Sequence, residues 1–159
     1  MCSSDLTPFS LVTSSLLHRP WLRRVAAAAA GLLLGAGLVF AWGWWNARGL
    51  RALADELRAA YEAHDAVAME SLFCWDGVDA ATRARIRFVI LQEHELPVAS
   101  VVVRPLTAFD RQFAPHLRPN LAPAGTIQVT FATTDGLTAA YLAGRDGFRH
   151  RLIVMLPAN

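Results

Sequence analysis

From Val25 to Trp45 the sequence reads VAAAAAGLLLGAGLVFAWGWW, 21 residues without a charge. About 20 apolar residues in a helix cover the roughly 30 Å hydrocarbon core of a bilayer. A soluble helix this long with no polar face has no water-facing side to offer. Arg23 and Arg24 stand before the run, and Trp42, Trp44 and Trp45 close it. Arginine and tryptophan are residues favoured at the two membrane interfaces. The expectation is a single transmembrane helix over 25–45. Val39-Phe40-Ala41 also fits the small-residue pattern of a signal-peptidase site, which would cleave after Ala41. The 24 residues ahead of the run are long for the basic region of a leader, and cleavage would remove most of the aromatic edge. Cys2 lies before the run, too early for the acylated cysteine of a lipoprotein.

Charge sets the expected orientation. All 15 basic residues are arginine. Arg19, Arg23 and Arg24 precede the run against one acid, Asp5, and carry the whole net charge of +2. Beyond the run, acids and arginines balance. Positive flanks stay in the cytoplasm, so residues 1–24 are expected inside and residues 46–159 outside the cytoplasmic membrane. The lysine-free, alanine-rich composition is that of a GC-rich bacterial coding sequence, which makes the outside the periplasm or cell exterior. A neutral outer domain lacks the basic face that nucleic acid needs. Within the run, Gly31 and Gly35 are four apart, a spacing that lets two membrane helices approach closely. They are the candidate contacts of a homodimer, an envelope protein being the other partner considered.

After Asn46 the pattern becomes amphipathic. Leu50, Leu53, Leu57, Ala60, Tyr61 and His64 recur at steps of three and four, which predicts a helix with that face inward. Asp65 is placed to cap a short second helix ending near Phe73, and Asp79 a third from Ala80 to about Glu95. The inner face of the third is Ile86, Val89 and Ile90, and Pro97 forbids its continuation. The period then becomes two. Strands are predicted over 98–106, 126–133, 137–143 and 148–156, with 107–124 as a long loop. Asp135-Gly136 and Asp146-Gly147 are hairpin signals. The predicted fold class is α+β: one N-terminal transmembrane helix, then three helices packed on one face of a four-stranded antiparallel sheet.

The segment LRAAYEAHDAVAMESLF, Leu57 to Phe73, resembles the opening of the NTF2-like (SnoaL-like, cystatin-like) α+β cone family. Members often begin with a helix ending in an Ala-x-x-x-x-Asp corner, here Ala63-His64-Asp65, then a short helix ending in Leu-Phe, here Leu72-Phe73. The resemblance covers roughly residues 50–157. It implies a bent sheet that wraps the long helix and encloses a pocket. Some members are small isomerases or dehydratases; many more bind or assemble without chemistry, often as dimers. No motif carries a family site residue to a position in this chain.

Candidate chemistry is sparse. His64 and His150 are the catalytic candidates: if both pointed inward and met Asp110 or Tyr141 in a pocket, acid–base work would follow. Tyr61, Trp75 and Tyr141 are the ligand-binding candidates. Cys74 has no C-x-x-C partner and is either a small buried residue or a reactive extracytoplasmic thiol. Asp76 and Asp79 look like turn and cap residues. Arg83 and Arg87, one turn apart, either clamp an anion or pair with nearby acids. The histidines lack metal-ligand spacing, and His94-Glu95 is not followed by the second histidine of a zincin. No metal and no cofactor is therefore expected. The function read from these features is a membrane-anchored extracytoplasmic binding or assembly module. The alternative is a small acid–base enzyme acting on an apolar ligand in a cone pocket.

Overall fold

The computed structural model describes residues 20–158. The tail expected inside the cell lies, up to Arg19, outside the described residues, as do the side chains of Val25, Ala26, Ala27, Ala30 and Leu34 in the uncharged run. Among the described residues no helix is long and apolar enough to cross a membrane. The chain divides into two compact units, 1–43 and 44–159. In the first, Gly31 and Gly35 have open space where a side chain would stand.

The first helix, α1, spans Pro20–Glu62 without a break. The uncharged run and the amphipathic stretch after Asn46, counted from the sequence as separate helices, fall within this one helix. Nothing between Trp45 and Leu50 ends a helix: Ala47 and Arg48 are strong helix formers, and Gly49 costs only about 1 kcal/mol. The amphipathic part of α1 buries Leu50, Leu53, Ala54, Leu57, Ala60 and Tyr61, the face that the three- and four-residue steps predict. Two residues past its end, His64 takes a left-handed φ of 50°. The Asp65 N–H then bonds the Ala60 carbonyl at 2.9 Å, a reversal that usually uses glycine.

Asp65 caps α2, Ala66–Ser71, its carboxylate accepting from the Val67 and Ala68 amides at 3.0 and 2.9 Å. Asp79 caps α3, Ala80–Glu93, accepting from the Thr82 amide at 2.8 Å and its hydroxyl at 2.7 Å. These bonds hold the Asp79 carboxyl below the usual carboxylate range. Both caps stand where the sequence places them.

The fold is α+β with a curled four-stranded antiparallel sheet. Strands β1 (Val98–Arg104), β3 (Pro123–Phe131), β4 (Thr138–Asp146) and β5 (Arg149–Leu152) lie in the order β1-β3-β4-β5. Between β1 and β3 run a 3₁₀ turn, Phe109–Arg111, and a short strand β2, Leu117–Pro119. β2 pairs with β6, Met155–Pro157. Ile127, Val129 and Phe131 of β3 are fully buried against α1 residues and Leu152. Asp146 pairs with Arg149, so Gly147 and Phe148 form the tip, with Gly147 at φ 58° as a two-residue hairpin requires.

Two expectations are corrected here. The segment 107–124 is not one loop, since β2 lies within it. The last strand, expected over 148–156, is two. The Leu152 amide donates to the Leu72 carbonyl and the Cys74 amide to the Leu152 carbonyl, both at 2.9 Å. The Ile153 amide still donates to the Leu142 carbonyl of β4 at 2.8 Å. Asn120 then accepts from the Val154 amide at 2.9 Å and donates to the Cys74 carbonyl at 2.7 Å, which hands β6 to β2.

Candidate functional site

One face of α3 is left only half covered. Thr82, Arg85, Ile86, Val89, Ile90 and Glu93 recur at helical spacing and line a groove of about 630 Å³. Those residues span roughly 16 Å at 1.5 Å per residue. The opposite wall comprises Leu117 of β2, the 153–157 segment and, from the interior, Phe73 and Tyr141. The volume and mostly apolar lining are those of a small-molecule site.

At the Glu93 end three polar groups from three elements converge. Tyr61 of α1 and Tyr141 of β4 bring their phenol oxygens to 2.7 Å. Tyr141 donates to Glu93 Oε2, and Tyr61 lies 3.2 Å from the same oxygen. Packing fixes both rings: Tyr61 meets the edge of Phe131 with centroids 5.5 Å apart, and Tyr141 meets Phe73 at 6.2 Å. Glu93 closes α3, where the helix dipole favours cations, so the phenol donors, not the helix, hold its carboxylate. Burial foremost pushes both phenols well above the ordinary tyrosine pKa; for Tyr141 the neighbouring Tyr61 and then Glu93 add to this, and for Tyr61 the Glu93 charge adds while the hydrogen bond with Tyr141 works against it. Hydrogen bonds to a charged partner are worth roughly 1.5–3 kcal/mol each, so this cluster is a firm part of the core as well as the end of a groove. Only Oε2 of Glu93 is engaged by the phenols, and the residue lines the groove.

Of the ligand-binding candidates, Tyr61 and Tyr141 are brought together, and Tyr141 lines the groove. Trp75 is elsewhere. Its indole N–H donates to the Glu70 carbonyl at 3.0 Å, and Arg83 lies 4.6 Å above its ring. Arg83 and Arg87 pair with Glu70 at 3.1 and 2.7 Å; Arg87 foremost holds the Glu70 carboxyl below its usual range. The two catalytic candidates do not meet. His64, expected on the inner face of α1, lies beyond the helix end, is exposed, and reaches the His94 carbonyl at 2.8 Å. His150 is buried, with Nε2 2.8 Å from Asn46 Oδ1. Neither lines the groove. Cys74 is 1% exposed. Among the described residues no group of histidine, cysteine and acids is placed to hold a metal.

Glu93 is the residue that sequence reading passed over. Its signal was present: it extends the stripe Ile86, Val89, Ile90 by one more step of three, an acid on an otherwise apolar face.

The class that fold and site define is an α+β domain with an apolar groove ending in a tyrosine–tyrosine–glutamate cluster. Compared with known protein families and with curated proteins, the chain matches no family model and none of those proteins.

Proposed function

We propose that this chain is a membrane-anchored binding module whose α+β domain, outside the cytoplasmic membrane, takes an apolar ligand carrying a hydrogen-bond donor, a hydroxyl or a protonated amine. The observation that carries the reading is the groove along α3 with Glu93 at its end. A donor head reaches the Glu93 carboxylate while apolar atoms fill the space between Ile86, Ile90 and Met155. The anchor is supported by the 21-residue uncharged run with its arginine and tryptophan flanks. An NTF2-like cone with helices on one face of the sheet is the arrangement we favour for residues 50–157, since a bent sheet around a long helix and a pocket are what that family implies. In the acid–base alternative, Glu93 replaces the two histidines as candidate base. The tyrosines argue for binding instead, because phenols whose pKa is raised are poorly matched to proton transfer near neutrality.

The test uses the full chain in phospholipid nanodiscs with isotope-labelled isoleucine and methionine methyls. It is titrated with 4-tert-butylbenzylamine, 4-tert-butylbenzyl alcohol and 4-tert-butylbenzoate. The expected result is movement of the Ile86, Ile90 and Met155 signals with the amine and the alcohol, loss of that movement in Glu93→Gln for the amine, and none with the carboxylate. Equal binding of the carboxylate, or unmoved groove methyls with all three, overturns the reading.

A further inference from the structure

A second depression lies away from the groove, about 490 Å³ in volume, where the start of the second unit meets the β4–β5 hairpin. Trp44, Trp45 and Arg48 of α1 line it together with Phe148 and Arg149 of the hairpin. Phe148 is 89% exposed at the hairpin tip, and Trp44 and Trp45 are 57% and 54% exposed. Hairpin tips are ordinarily small or polar, so three aromatic rings, each more than half exposed on one surface, call for an occupant.

The surface is built to hold its shape. His150, two residues beyond the tip, reaches Asn46 across 104 positions of sequence with its ring nitrogen 2.8 Å from the amide oxygen. Gly49 permits this approach: a Cβ there would stand 2.3 Å from His150 Nδ1. The hairpin is thereby stapled beside the helix turn that carries the tryptophans. The Arg48 guanidinium lies 5.4 Å over the Trp44 ring, a cation held on the aromatic face at this surface.

Lipid is the occupant that this chemistry selects. Trp44 and Trp45 are the last two residues of the uncharged run, so the surface continues the segment read as the anchor. Tryptophan prefers the headgroup level of a bilayer, with its ring apolar and its N–H wet. Arginine lays its stem along apolar surface and extends its guanidinium toward phosphate. We propose that Trp44, Trp45, Arg48, Phe148 and Arg149 form a membrane-contact surface that seats the domain on the headgroup region of the bilayer, with Phe148 entering the lipid. This rests on the reading of Val25–Trp45 as a membrane anchor.

The test is a fluorescent label at Phe148→Cys in the full chain, with Cys2→Ser and Cys74 left buried, in phosphatidylcholine–phosphatidylglycerol vesicles. The label is an environment-sensitive nitrobenzoxadiazole, read against a lipid-borne nitroxide quencher and a water-borne iodide quencher. The control is Thr134→Cys in the β3–β4 hairpin, at the other end of β4, roughly 26 Å away at about 3.3 Å per residue. Carbonate extraction of the same vesicles reports on the anchor separately. The expected result is blue-shifted emission at position 148 and severalfold stronger lipid quenching there than at 134. Protein that resists extraction while both labels quench only with iodide overturns the contact surface and leaves the anchor standing. Protection from both quenchers at 148 points to a second copy or a protein partner and also overturns it. Protein extracted by carbonate but still lipid-quenched at 148 supports the surface and removes the anchor. Extraction with no lipid quenching removes both.

Discussion

Raising the pH above 10 is expected to destabilise the folded domain through Tyr61 and Tyr141, the only two tyrosines in the chain. Burial and the Glu93 charge raise both phenols above their ordinary value of 10.0. A group with a raised folded pKa keeps its proton in the native state while the unfolded chain gives it up. The stability it contributes is whole below pH 10 and falls as pH rises toward the folded pKa. At pH 11 an ordinary tyrosine is about 90% ionised, so each phenol favours unfolding by up to about 1.4 kcal/mol and the pair by up to about 2.8 kcal/mol. These are upper limits, because water on the groove side of Tyr141 screens part of the effect. The readout is specific in a Cys2→Ser, Cys74→Ala background, which has neither thiol nor lysine, and tyrosinate absorbs near 295 nm. Urea unfolding of the full chain in detergent, followed by circular dichroism at pH 9 and pH 11, measures the loss. Absorbance at 295 nm should stay flat for the folded protein at pH 10.5 and rise only on unfolding. Tyr141→Phe should halve the pH dependence and cost roughly 1.5–3 kcal/mol at neutral pH, the worth of a hydrogen bond to a charged partner. Native tyrosine absorbance that titrates with a midpoint near 10 would refute the cluster.

Gly49→Ala should lower stability by up to about 2 kcal/mol, since its methyl must displace His150 at an overpacking cost of roughly 1–3 kcal/mol against a helix-propensity gain of about 1 kcal/mol; equilibrium unfolding measures it, and a stabilised variant contradicts the packing. Burial, with a lesser effect of Arg145, lowers the His150 pKa below its ordinary 6.5, so its contribution is present above pH 6.5 and lost as pH falls. His150→Gln should therefore flatten the acid limb of the stability profile, and an unchanged limb would show that the ring is solvated. The Cys74 thiol, 1% exposed, should ignore a thiol reagent in the native Cys2→Ser protein and react stoichiometrically on denaturation, a result followed by absorbance of the released chromophore.

Local chemistry was the legible part of the fold. Asp65 and Asp79 announce helix starts because an N-cap acts within three residues of itself. The buried trio Ile127, Val129 and Phe131 shows because a strand's faces alternate at a fixed step of two. The misplaced boundaries have the opposite character. α1 runs through Asn46 because no breaker is present there, and a change from apolar to amphipathic pattern is a change of surroundings, not of backbone. The strand expected over 148–156 divides because Asn120, 34 positions away, takes the Val154 amide and β2 takes β6, partners that no window on the C-terminal segment contains.

The same distinction governs the site. Tyr61 belongs to the inner stripe of α1, and Tyr141 sits in a strand, so each could be named by type and face. Their meeting could not be read, because it depends on how far the sheet curls around α1. Glu93 joins Tyr61 across 32 positions and Tyr141 across 48. Each contact is set by tertiary register, not by helix or strand period. His64 failed for a local reason that the sequence concealed: helix period assigns it to the inner face, but the helix stops two residues earlier and His64 turns left-handed to carry the reversal. An acid on an apolar stripe, as at Glu93, is therefore the more informative pattern. Burying a carboxylate is costly unless donors meet it, so its position already implies partners on the facing elements. The two tyrosines, the chain's only pair, are those partners.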